Sequence, residues 1–162
     1  MKKTKKSFII VGSTILVIII FVFLFVFYFT LSNYSYNSDI DAASGSLGKF
    51  DSIIYKYETS DNEIIFYNST DNNTFECVLG KRKYFGNMKY KIKVCNTSAL
   101  VSYDWKKVNR NLKYVSLRNE EDIKNFNCEG YKPIKTKITF KTSKGYHETR
   151  WVYVIDKTEK AK

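Results

Sequence analysis

One histidine and three cysteines in 162 residues leave little material for metal or nucleophile chemistry. Cys77, Cys95 and Cys128 show no C-x-x-C spacing and no Cys/His spacing of the zinc-binding kind. His147 stands beside Glu148, with no Ser or Cys visibly tied to it, so no catalytic triad can be nominated. An odd cysteine count allows at most one disulfide within the chain. Cys77 shares strand parity with Phe75 and Leu79 and reads as a buried thiol, whereas Cys95 and Cys128 lie beside polar residues and could pair. Acids are scarce too, 16 against 27 Lys and Arg, for a formal charge of +11. No repeat of fixed length occurs.

The short motifs that are present fail on context. Ser46-Leu47-Gly48-Lys49, Ser60-Asp61-Asn62 and Lys141-Thr142-Ser143 imitate, in order, the S-x-x-K, S-D-N and K-T-G set of penicillin-binding proteins. That chemistry needs Ser and Lys one turn apart at a helix start inside a large domain, and here they sit in a Gly-containing stretch. The run GSLGKF lacks the Ser/Thr and the first Gly of a P-loop, and Asp39-Ile40-Asp41 lacks the Gly and closing Glu of a calcium loop. Four glycosylation sequons, beginning at Asn33, Asn68, Asn72 and Asn96, are matches expected by chance in an Asn-rich chain. The sequence therefore predicts no cofactor, no metal and no enzyme activity.

What the chain does have is a long apolar run. Phe8 to Leu31 are 24 residues without an ionisable acid or base, 19 of them Phe, Ile, Val or Leu. As a helix this run is about 36 Å long, more than the ~30 Å hydrocarbon core of a bilayer. A secretory signal has a shorter core, ~7 to 15 residues, and small residues at its cut site. The nearest candidate here, after Asp41-Ala42-Ala43, carries a charged Asp. The expectation is a retained transmembrane helix over 8–31, with an unusually long signal peptide as the alternative. Lys2, Lys3, Lys5 and Lys6 precede the run, while Ser32 to Gly48 contains no Lys or Arg. The positive-inside rule then places residues 1–7 in the cytoplasm and the C-terminal part outside it, with Tyr28, Tyr34 and Tyr36 at the outer interface.

Residues 32–48, SNYSYNSDIDAASGSLG, offer little to bury and read as a flexible tether. Residues 49–162 are long enough for one domain with its own core. Their hydrophobic period is mostly two, which predicts half-buried strands. SIIYKYE and EIIFYN flank the turn TSDN; TFECVL follows the turn STDNN; NLKYVSLR is a further strand; IKTKITFK turns through TSKG into ETRWVYVID. NEEDIKNF alone reads helical, with Asn119 as N-cap and acids in its first turn. The fold class expected is an antiparallel, mainly β meander, sandwich or barrel of some seven strands with one short helix, behind an N-terminal transmembrane helix.

Two strands alternate Lys with apolar residues: Lys89, Lys91 and Lys93 in MKYKIKV, and Lys135, Lys137 and Lys141 in IKTKITFK. If both strands belong to one sheet, the six lysines share its solvent face and form a candidate anionic-surface site, for lipid headgroups or wall polymer. A solubilising exterior that discourages edge pairing is the plain alternative. The run GKFDSIIYKYETSDNEIIFYNSTDNNTFECVLGKRKYFGNMKYKI, behind an apolar anchor, resembles uncharacterised small membrane-anchored proteins of low-G+C Gram-positive bacteria. This resemblance covers about half the chain and implies topology without activity. The functional expectation is an extracytoplasmic envelope binding protein, whose partners are the bilayer that anchors it and anionic polymer, headgroups or another membrane protein, with nucleic acid not expected. The alternative is an extracytoplasmic enzyme, enzyme accessory or toxin-immunity protein, with a cleft near His147 or Cys128.

Overall fold

The computed structural model describes residues 2–47, 50–71, 73–97, 102–142 and 144–158. It divides into two units, residues 1–35 and 36–162. The first unit is helix α1, Lys2–Asn33, uninterrupted because the run contains no proline and only one glycine, Gly12. None of its Gly12–Phe29 window is buried, and that window has a mean hydropathy of 2.7. Phe23 and Phe27, and likewise Phe25 and Phe29, stack at the four-residue spacing that brings side chains together on one helix face.

The second unit holds two four-stranded antiparallel sheets. The first is a meander of β1 (Phe50–Glu58), β2 (Asn62–Ser69), β3 (Thr74–Tyr84) and β4 (Asn87–Thr97) in sequence order. The second contains β5 (Lys106–Lys107), β6 (Leu112–Leu117), β7 (Ile134–Lys141) and β8 (His147–Asp156) in the order β5-β6-β8-β7. Turns expected at TSDN, STDNN and TSKG fall between these strands. Asn119 caps a 3₁₀ helix, Glu120–Asn125, where the sequence predicted a short helix.

The sheets pack face to face. Ile64, Phe66 and Val78 of the first meet Leu112, Tyr114, Ile138, Phe140, Val152 and Val154 of the second. The Phe66 ring meets Tyr114 edge-on, centroids 6.3 Å apart. Each sheet is also covered on its outer side. Val115, Leu117 and Tyr153 pack against Trp105, Trp151 and the Ile123 and Phe126 side chains around the 3₁₀ helix.

The outer side of the first sheet is closed by a helix that the sequence did not predict. Helix α2, Asp39–Leu47, occupies most of the stretch expected to be a tether. Ser38 starts it, its Oγ accepting from Asp41 N at 3.0 Å. Ala42 and Ala43 are buried against Ile65, Tyr67, Phe75, Cys77 and Leu79, and the Tyr67 hydroxyl donates to Ala43 O at 3.0 Å. Small residues let this helix lie close. A Cβ on Gly45 would come within 2.9 Å of the Tyr36 ring. Tyr36 exchanges backbone hydrogen bonds with Tyr90 of β4, at 3.3 and 3.0 Å. Covered on both sides, β2 is buried along nearly its whole length, so its apolar residues run continuously as IIFY rather than alternating.

The cysteines also differ from expectation. Cys77 is directly opposite Cys95 in the β3–β4 register, Cα atoms 4.1 Å apart, and the two form a disulfide. Cys128 lies in the loop after the 3₁₀ helix and is the free cysteine. Strand register, invisible in spacing, brings Cys77 rather than Cys128 to Cys95.

Candidate functional site

The six lysines singled out in the sequence do not share a sheet. Lys89, Lys91 and Lys93 are on β4 at the edge of the first sheet, and Lys135, Lys137 and Lys141 are on β7 at the edge of the second. The single-sheet condition for one lysine face is therefore not met. Lys91 and Lys93 run their stems over Gly80, with Lys93 at an irregularity in the register and bonded to Asn62 Oδ1. Lys89 bonds Asn37 Oδ1. On the second sheet, Lys135 and Lys137 lie over the Trp151 ring, 5.0 and 5.6 Å from its centroid, and Lys135 pairs with Glu120 at 2.5 Å. The Lys141 side chain lies outside the described residues. His147, its register partner, is exposed at the start of β8.

A concentration of positive charge that the sequence did not mark occurs at the other end of the second sheet. The turn between β5 and β6 is built by Asn109, whose Oδ1 accepts from the backbone N–H of Asn111 and Leu112, each at 2.8 Å. Around it a pocket of about 280 Å³ is lined by Lys107, Arg110, Lys113, Lys157 and Glu129, among others. Glu129 and Gly130 turn the chain here with φ of 55° and 78°. The Glu129 carboxylate takes Lys113 on one oxygen at 2.8 Å and Lys157 on the other at 2.5 Å. Those hydrogen bonds hold its pKa down to about 2, so it stays ionised. Lys113, nearly buried, also lies 4.8 Å over the Trp105 ring. One carboxylate is thus shared by two ammonium groups, while exposed Lys107 and Arg110 add two more cations to the wall. Residues 107–113, 129 and 157 are too far apart in sequence for any motif to register them together.

A second charged cluster is inside the fold. On the outer side of the first sheet, buried Glu63 has Lys56 at 3.5 Å and Lys81 at 3.6 Å. Lys56 also pairs with Asp39 of α2 at 2.6 Å, and Lys81 with Glu58. Burial pushes the Glu63 carboxyl above its ordinary 4.5, partly offset by Lys56. Burial acts in the same sense on Asp39, but the Lys56 hydrogen bond and charge leave it below its ordinary value, and the Lys81 hydrogen bond does the same for Glu58.

These shifts give opposite pH dependences. Asp39 and Glu58 stabilise the fold above their unfolded pKa values, and that stability is lost as pH falls through their lower folded values. Glu63 keeps its proton in the fold after the unfolded chain has released it, so stability falls as pH rises from about 4.5 through its folded pKa. Glu63→Gln should remove the decline on that upper side and keep the acid-side loss, read as urea midpoints against pH. An unchanged slope above pH 4.5 would show that Glu63 does not govern it. The cluster fastens α2 to the sheet, which is the role its geometry supports.

Among the described residues no group of three or more His, Cys, Asp or Glu side chains is placed to hold a metal ion. Comparison of the chain with protein-family models, with curated proteins and with solved structures gives no match.

Proposed function

We propose that the chain is a single-pass membrane protein whose two-sheet domain works outside the cytoplasm as a binding module for anionic groups of the cell envelope. The anchor reading is supported by the exposed apolar window of α1 and by the lysines that precede it without any acid. The binding reading is carried by the pocket between the β5–β6 turn and Glu129. Its single carboxylate is already held by Lys113 and Lys157, which leaves Lys107 and Arg110 to meet an incoming anion. Arg110 can present a planar fork to a phosphate, and Lys107 a point charge.

The test uses the full chain in nanodiscs and a soluble poly(glycerol phosphate) as probe. Each cation near an anionic surface contributes about 1 kcal/mol, so Lys107→Gln with Arg110→Gln should weaken binding by about 30-fold at low salt. Equal affinity in the double variant, or wild-type binding that ignores salt, removes the anionic-ligand reading. The anchor is tested separately. Alkaline carbonate should leave the full chain in the membrane pellet, and protease outside intact cells should cut the C-terminal domain; a carbonate-soluble chain overturns it.

A further inference from the structure

The longest strands of the domain, β3 and β4, outrun the sheet they belong to. β2 pairs with β3 only as far as Asn62 opposite Gly80, whereas β3 and β4 stay paired out to Tyr84 opposite Asn87. Residues beyond Lys81 therefore form a two-stranded arm. Its tip is a two-residue turn, Phe85-Gly86, with φ of 46° and 86°. Turns of this geometry favour Asn-Gly, Asp-Gly or Gly-Gly, because both central residues need positive φ. A bulky aromatic at the first position is strained, and strain of this kind is a pointer to function.

Phe85 is 86% exposed. Met88, two residues past the turn, is 36% exposed. Arg82, Lys83 and Lys89 lie on the arm behind this apolar tip, and residues 82–97 contain no Asp or Glu. Arg82 and Lys83 are both exposed, the Arg82 guanidinium lying 5.8 Å from the Tyr84 ring centroid. An apolar point with cations behind it along the strands matches the layering of an anionic bilayer surface, phosphates outermost and acyl chains beneath. The root of the arm is bonded to the first residue of the domain. Tyr36, three residues after α1 ends, is bonded to Tyr90.

We infer that the β3–β4 arm engages an anionic lipid surface, with Phe85 and Met88 entering below the headgroups and Arg82, Lys83 and Lys89 meeting the phosphates. This rests on the anchor proposed above. Of the six lysines read from the sequence, it gives Lys89 a direct part and assigns the β7 group none. Long stems let Lys and Arg keep their charges at the phosphates while the tip goes deeper.

Phe85→Trp in the full chain, reconstituted in nanodiscs, provides the probe, with wild type supplying the background of Trp105 and Trp151. In discs containing phosphatidylglycerol, the added Trp should emit at shorter wavelength and lose about half its intensity to lipid brominated in the upper acyl chain. Purely phosphatidylcholine discs at high salt should abolish most of that quenching. Changing Arg82, Lys83 and Lys89 to Gln in the Phe85→Trp chain should do the same in the anionic discs. An added Trp that remains open to aqueous iodide and unquenched by brominated lipid overturns the inference, as does quenching indifferent to lipid charge. Carbonate extraction of cell membranes carrying the same Phe85→Trp chain separates the two readings. A chain that stays in the pellet with an unquenched tip loses the arm inference alone, and a chain that is stripped loses the anchor as well.

Discussion

A chain trimmed to begin at Phe50 should unfold on the order of 4 kcal/mol more easily than one trimmed to begin at Ser35. The difference is α2 and the strand-like residues before it. Their loss uncovers Ile65, Tyr67, Phe75 and Leu79 on the outer side of the first sheet, where Ala42 and Ala43 now cover them. Each such side chain is worth about 1.5–3 kcal/mol when fully buried, and only part of each would be re-exposed. The Tyr67 hydroxyl loses Ala43 O, Lys56 loses Asp39, and the β4 backbone loses Tyr36. Against a total stability of about 5–15 kcal/mol, that removes a large share, and the bared face should also promote association. Urea denaturation of the two trimmed chains measures it. Coincident midpoints would mean that residues 36–47 act as a tether despite their packing.

Lys106→Ala should cost about 3–5 kcal/mol, because it leaves a carboxylate between the sheets without its cation. Glu76 is 1% exposed on the inner side of β3. One of its oxygens takes both the Lys106 ammonium and the Tyr114 hydroxyl, the latter at 3.3 Å. Burial and that carboxylate push the Tyr114 pKa far up, so the phenol remains a donor at any physiological pH. Neutralising the stranded group in the same chain, with Glu76→Gln, should recover most of the loss. Thermal or urea unfolding of both single variants and the double variant closes the cycle. A Lys106→Ala chain as stable as wild type, or a double variant no better than Lys106→Ala, would show that Glu76 is held by groups other than Lys106.

The difference between these two sites and the lysine strands illustrates how far pattern reading reaches. Lys89, Lys91 and Lys93 alternate with apolar residues as plainly as Lys135, Lys137 and Lys141 do, and both segments are strands. Alternation reports only that a strand has two unlike sides. It carries no information on which sheet a strand joins, and the order β5-β6-β8-β7 puts β7 in a sheet to which β4 does not belong.

The sequence by itself determined the features that depend on near neighbours. These are the apolar run and its helical length, the turns TSDN, STDNN and TSKG, the strands between them, and the capped 3₁₀ helix at Asn119. Each follows from backbone preferences, solubility or periodicity within a few residues. Only the tertiary structure decided what covers what. Helix α2 has two alanines to bury and no apolar stripe, so it exists as a packed element because Ile65, Tyr67 and Leu79 need a lid. Cys77 found Cys95 through strand register, Glu63 acquired its lysines from the flanking strands β1 and β3, Glu76 acquired Lys106 through sheet stacking, and the pocket at Arg110 drew Glu129 and Lys157 from distant loops. Such contacts are set by burial and charge pairing across the fold, which act between residues that share no local pattern.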